Sequence, residues 1–108
     1  MADQDLRVVF TESALRDLEG IVDYWAEQGE PERGTKYAHD LPREAIRQLS
    51  DSQTASDGRL LRKRNFPNVR ELPVFSRTYR VLYVLNQTER IVEVLRFWHS
   101  HRDEPDSL

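Results

Sequence analysis

Cysteine is absent from this 108-residue chain, glycine occurs only four times, and no apolar run approaches the length of a membrane span. Without cysteine there are no disulfides, no thiolate nucleophile and no cysteine-ligated zinc, which suits a reducing compartment such as the cytoplasm. A spanning helix needs roughly 18–20 successive apolar residues. The N-terminal stretch Met1-Ala2-Asp3-Gln4-Asp5 is acidic, unlike the basic start and apolar run of a secretory signal. These absences set the expectation of a cytoplasmic location with no membrane attachment. Apolar residues make up 38% of the chain and charged ones 32%. That is enough for one core with little surplus, so residues 1–108 are expected to form a single domain, with 103–108 as a flexible tail.

Charge is present but unevenly placed. The formal net charge is −3. Between Arg59 and Arg80, however, seven cations (Arg59, Arg62, Lys63, Arg64, Arg70, Arg77, Arg80) face one anion, Glu71, for a local net of +6. Residues 1–58 carry a net −7 and residues 81–108 a net −2. A separation this sharp along a chain predicts a basic face that attracts polyanions or acidic protein segments. The acidic whole argues against a general nucleic-acid coat.

Apolar periodicity sets the elements. Residues 6–10 read as a strand. Thr11 fits a helix N-cap with Glu12 in the first turn. Ala14, Leu15, Leu18, Ile21, Val22 and Trp25 recur at helical spacing until Gln28-Gly29 stops the helix. Pro31 suits the first turn of a second helix carrying Leu41, Ala45 and Leu49, with a bend possible at Pro42. Residues 50–58 are polar and read as a loop, and 60–64 as a short strand. Strands follow at 69–75, where Pro73 implies an edge or a bulge, at 79–85 and at 91–98, with a turn at 86–89. The expected fold is α+β, in the order β-α-α-β-β-β, with a helical hairpin packed on a small antiparallel sheet.

Strict alternation would place Tyr79, Val81, Tyr83 and Leu85 on one face, and Arg80, Leu82 and Val84 on the other. It would likewise set Val92, Val94, Arg96 and Trp98 against Ile91, Glu93, Leu95 and Phe97. One face covers the helices. The other, half apolar and carrying arginine, is expected to be a binding surface. Trp25 belongs to the core by its spacing. For Trp98, a core role and an exposed interface anchor stay open. Glu12, Asp17, Glu19, Asp23 and Glu27 read as the solvated outer side of the first helix. His99-x-His101 beside Asp103 lacks a further placed ligand, so no metal is expected, and no cofactor either.

The ordered series VVFTESALRDLEGIVDYW, the Tyr37–Leu41–Ile46–Leu49 pattern, a loop containing Gly58, VRELPV, YRVLYVL and IVEVLRFWHSHRD resembles the RelE/ParE superfamily of bacterial toxins across roughly residues 6–103. The resemblance implies the toxin of a type II toxin–antitoxin pair: cytoplasmic, and wrapped and neutralised in a hetero-oligomer by a cognate antitoxin. RelE-like members cut messenger RNA at the ribosome using basic residues on a concave sheet face and a tail tyrosine or histidine. ParE-like members poison DNA gyrase and lack that set. Arg80 matches a phosphate-contacting sheet arginine and Arg70 an earlier basic position. Leu72, though, stands where a second basic residue is usual, no tyrosine follows Tyr83, and the ending LRFWHSHRD has the ParE-like form. The ParE-like side is therefore favoured. RelE-like RNA cleavage, with Arg70, Arg80, His99 and His101 as its candidate residues, is the alternative, and a non-toxic binding module of the same fold is a third. Cleavage would need a base, an acid and cationic charge on the phosphate. As a binding surface for target or antitoxin, the candidates are Arg62, Lys63, Arg64, Arg70, Arg80, Trp98 and Arg102. The Arg62-Lys63-Arg64 triplet would serve equally as a solvated edge that discourages aggregation.

Overall fold

The computed structural model describes residues 5–62, 65–102, 105 and 108. It begins with strand β1 (Arg7–Phe10), followed by helices α1 (Glu12–Glu27), α2 (Pro31–Leu49) and α3 (Ser52–Asp57). Strands β2 (Arg59–Leu60), β3 (Arg70–Val74), β4 (Tyr79–Asn86) and β5 (Ile91–His99) complete it. The five strands form one sheet in the order β1-β5-β4-β3-β2. Its pairings are antiparallel except between β1 and β5, the first and last strands in the chain, which run parallel.

Thr11 does the work expected of an N-cap and more. Its Oγ1 accepts from the Ala14 N–H at 3.1 Å and donates to the Leu95 carbonyl at 2.9 Å, pinning the start of α1 to β5. Helix α2 runs unbroken through Pro42. The hairpin closes tightly because Gly34 is buried against α1: a Cβ there would lie 2.9 Å from that of Trp25. Pro73 is tolerated because β2 reaches only Arg70 and Glu71, so no strand among the described residues lies outside Pro73.

Residues 50–58 are not all loop. Asp51 caps α3 by accepting from the Thr54 N–H at 2.9 Å. A helix this short buries one apolar residue, Ala55, so it leaves no periodicity to read. Of the expected strand at 60–64, the structure shows Arg59–Leu60. Lys63 and Arg64 lie outside the described residues.

The larger core lies between sheet and helices. Leu41, Ala45 and Leu49 from α2 and Ala14 and Ile21 from α1 meet Tyr79, Val81 and Tyr83 of β4 and Val92, Val94 and Phe97 of β5. Alternation along β4 matches expectation. Along β5 it fails, because a β-bulge shifts the register between Leu82–Arg96 and Tyr83–Val94. The extra residue changes the side that each later residue faces. Phe97 therefore joins Val92 and Val94 on the helix side, while Trp98 turns to the opposite face, where alternation had already set Leu95.

Candidate functional site

The face away from the helices is not open. Leu61, Phe66 and Val69, from the segment joining β2 to β3, pack over Leu82 and Trp98 in a second small core. The Leu61 N–H donates to the Val69 carbonyl at 2.8 Å and folds that segment back on itself. The half-apolar binding face expected from alternation is thus largely covered by the chain's own residues, which bury the apolar surface that would otherwise face water.

Arg80 and Trp98 stand side by side here as cross-strand partners. Trp98 is only 6% exposed, so of its two readings the core one matches this structure. The Arg102 guanidinium stacks on its ring at 4.1 Å and that of Arg96 at 4.8 Å. Such contacts favour a cation over an aromatic face. Arg80 is held within the molecule: Nη1 lies 3.5 Å from Glu71 Oε2, and Nη2 donates to the Arg102 carbonyl at 3.0 Å. Its Nε is buried without a hydrogen-bond partner.

Arg70 does not share this face. It shares a side of β3 with Leu72 and Val74, which pack into the helix-side core, and it pairs across the sheet with Tyr83. Its Nη1 donates to the Gly58 carbonyl at 2.6 Å. The two sheet arginines therefore point to opposite sides, and the single functional face built on both is corrected. Arg62 is exposed.

At the far end of β5 the helix side opens into a cleft against α1. His99 packs edge-on to Tyr79, ring centroids 5.2 Å apart, and 5.1 Å from His101. The Trp25 Nε1 donates to the Tyr79 hydroxyl at 3.0 Å. Burial, with the neighbouring charges of His101 and Arg102, pushes the His99 pKa below the ordinary histidine range. The His101 N–H donates to His99 Nδ1 at 3.2 Å, an arrangement that also suits the neutral ring. A base that protonates less readily folded than unfolded costs stability in acid. Stability is expected to be full above the unfolded histidine pKa, about 6.5, and to fall as pH drops through that value toward the lower folded one. Melting temperatures of wild type and His99→Gln between neutral and mildly acid pH check this: the acid-side loss should shrink in the variant.

Asp17 is the residue that sequence reasoning misplaced. It is not on the solvated side of α1. Its carboxylate accepts two hydrogen bonds from Arg96, at 2.7 and 2.9 Å, and one from the Phe97 N–H at 3.0 Å. Beyond Phe10, where β1 ends, Asp17 supplies the acceptor that β5 would otherwise lack. The Asp17 pair raises the Arg96 pKa. The signal was present: Asp17 falls three residues after Ala14 and four before Ile21, both buried, which is the inward stripe.

Comparison with known proteins agrees with this architecture. Residues 8–104 match the family model described as the ParE toxin of type II toxin–antitoxin system, parDE. The comparison with curated protein sequences finds no match. Among solved structures, one from the chromosomal ParDE toxin–antitoxin system of P. aeruginosa superposes with a TM-score of 0.71 at 20% identity, over 89% of this chain and 97% of that one. A chain of the RelBE2 toxin–antitoxin complex of Mycobacterium tuberculosis gives 0.63 at 25% identity, covering 88% and 91%. The isolated E. coli RelE toxin gives 0.58 at 18% identity, covering 92% and 88%.

Proposed function

The chain belongs to the family of ParE toxins of type II toxin–antitoxin systems, and from that premise we propose that it arrests growth by binding an essential target of the DNA gyrase class rather than by cutting RNA. The observation that carries this reading is the state of Arg80. Its guanidinium is occupied by Glu71 and the Arg102 carbonyl, and Leu61, Phe66 and Val69 close over the neighbouring surface. His99 lies on the other side of the sheet against Tyr79. Among the described residues, no imidazole stands beside Arg80 to move a proton, and charge without proton transfer does not make a ribonuclease.

A cognate antitoxin would lie across the helical hairpin and the sheet edge. Leu15 and Tyr24 on α1, Ile46 on α2 and Leu60 on β2 are each roughly half exposed, and an amphipathic partner segment would cover such residues. The exposed Arg59 and Arg62 next to Leu60 favour an acidic stretch in that partner.

The experiment is induced expression in bacteria, alone and with the small protein encoded beside it. Filamentation with DNA damage, relieved by that protein, is the expected result. Arrested translation with cleaved messenger RNA would replace this reading by the ribonuclease one. Normal growth would leave a binding module that has kept the fold without the toxicity.

A further inference from the structure

The cleft between α1 and the end of β5 has a volume of about 470 Å³, within the size range of small-molecule sites. Its lining residues Ile21, Tyr79 and Phe97 belong to the helix-side core, while Arg102, whose carbonyl accepts from Arg80 and whose guanidinium stacks on Trp98, stands where the cleft meets the Arg80 surface. Two features make it more than a gap between elements.

The first is its charge. Arg16, His99, His101 and Arg102 line it, and the Arg102 guanidinium keeps its positive charge while it stacks on Trp98. Among the described residues the only carboxylate on its wall is Asp17, and that group already receives both Arg96 nitrogens and the Phe97 N–H. The cleft therefore presents cationic charge that its own wall does not neutralise. Arg16 pairs with Glu12, but both side chains are over two-thirds exposed, and a surface pair of this kind yields readily to a better anion.

The second is its rings. Tyr24 is 48% exposed, and the exposed imidazole of His101 lies beyond His99. Gly20 lies on the same stretch of α1, and a Cβ added there would meet nothing within 4 Å. The wall is open at that point by the lack of a side chain, and a flat group has room to enter.

We propose that this cleft binds a nucleoside monophosphate, with the base against Tyr24 and His101 and the phosphate on Arg16 and Arg102. Aromatic faces accept any base by stacking, and arginine pairs with phosphate through two parallel hydrogen bonds. A ligand with only one of these parts leaves half of the site unused. The proposal does not depend on the toxin reading.

The test uses AMP as probe, with adenosine and inorganic phosphate as the single-part controls. Binding is followed by NMR titration of the intact chain. AMP is expected to bind with a dissociation constant of about 1 mM or tighter, and each control about tenfold more weakly. Gly20→Leu puts a side chain into the opening at an exposed helix position with free space around its Cβ, and should abolish binding while keeping the melting temperature. Arg16→Gln, a surface change, should weaken AMP about tenfold, and Arg62→Gln, outside the cleft, should leave it unchanged. Equal weakening by Arg16→Gln and Arg62→Gln would mean only general electrostatic attraction and would overturn the site. Unimpaired binding to Gly20→Leu, or no binding to wild type at several times the expected constant, would overturn it too.

Discussion

Gly58→Ala is expected to be among the most damaging single-methyl additions in this protein, lowering its stability by about 2–4 kcal/mol. The backbone at Gly58 is ordinary, with φ at −58°, so the cause is steric. The added Cβ would stand 1.9 Å from the Tyr83 hydroxyl oxygen, 2.8 Å from its Cζ and 3.2 Å from the Arg70 Cβ. Tyr83 cannot retreat. It is fully buried, and its hydroxyl donates to the Ala55 carbonyl at 2.7 Å, the bond that ties α3 to the sheet. Burial also pushes the Tyr83 pKa up to about 12, so the hydroxyl stays protonated and keeps donating at physiological pH. Relief of the clash therefore means moving either α3 or the ring, and both routes leave Ala55 unsatisfied. Tyr83→Phe alone should cost about 1–2 kcal/mol for that carbonyl. The double variant tests the cause: because Phe removes the atom nearest the new methyl, Gly58→Ala should cost clearly less in the Phe background. Denaturant melts of the four proteins measure the coupling. Full additivity would place the damage elsewhere.

Asp17→Ala is expected to cost about 3 kcal/mol, far beyond the effect of removing an ordinary surface acid. The side chains of Asp17 and Arg96 are 15% and 20% exposed, so water only partly replaces the lost partner. Removal of the carboxylate strips Arg96 of two charged hydrogen bonds and leaves the Phe97 N–H without its acceptor. The damage should be local as well as global. Amide exchange at Phe97 and along the following residues of β5 should speed up more than in β4, because Asp17 is what closes that edge. Glu12→Ala on the exposed side of the same helix is the control and should change stability by less than about 0.5 kcal/mol. If the two variants lose equal stability, Asp17 has no special hold on β5.

These two residues also mark where sequence reading stops. The order of elements, the helix cap at Thr11, both faces of β4 and the helical core stripe were legible, since each follows from local periodicity or a capping preference. The short helix α3 was not, because one buried alanine makes no pattern. The reversal from β3 to β4 was equally silent: Phe75, Ser76 and Arg77 adopt left-handed φ values of 53°, 54° and 68° without a glycine among them. The bulge in β5 mattered most. One extra residue moved Phe97 and Trp98 to the sides opposite those that alternation assigns, and every inference about a binding face on that strand moved with it.

The sequence by itself determined a small α+β domain with a basic middle, and its ordered motifs pointed to the toxin family. Those properties live in near-neighbour spacing and composition, which a linear chain carries in full. Only the tertiary structure decided that Arg70 and Arg80 face opposite sides, that Leu61, Phe66 and Val69 cover the second face, and that Asp17 closes the edge of β5. Each depends on a contact between residues distant in the chain, such as Asp17 with Arg96, or on a register shift. Burial and hydrogen-bond satisfaction set such contacts across the whole molecule, so they leave no periodic trace along it.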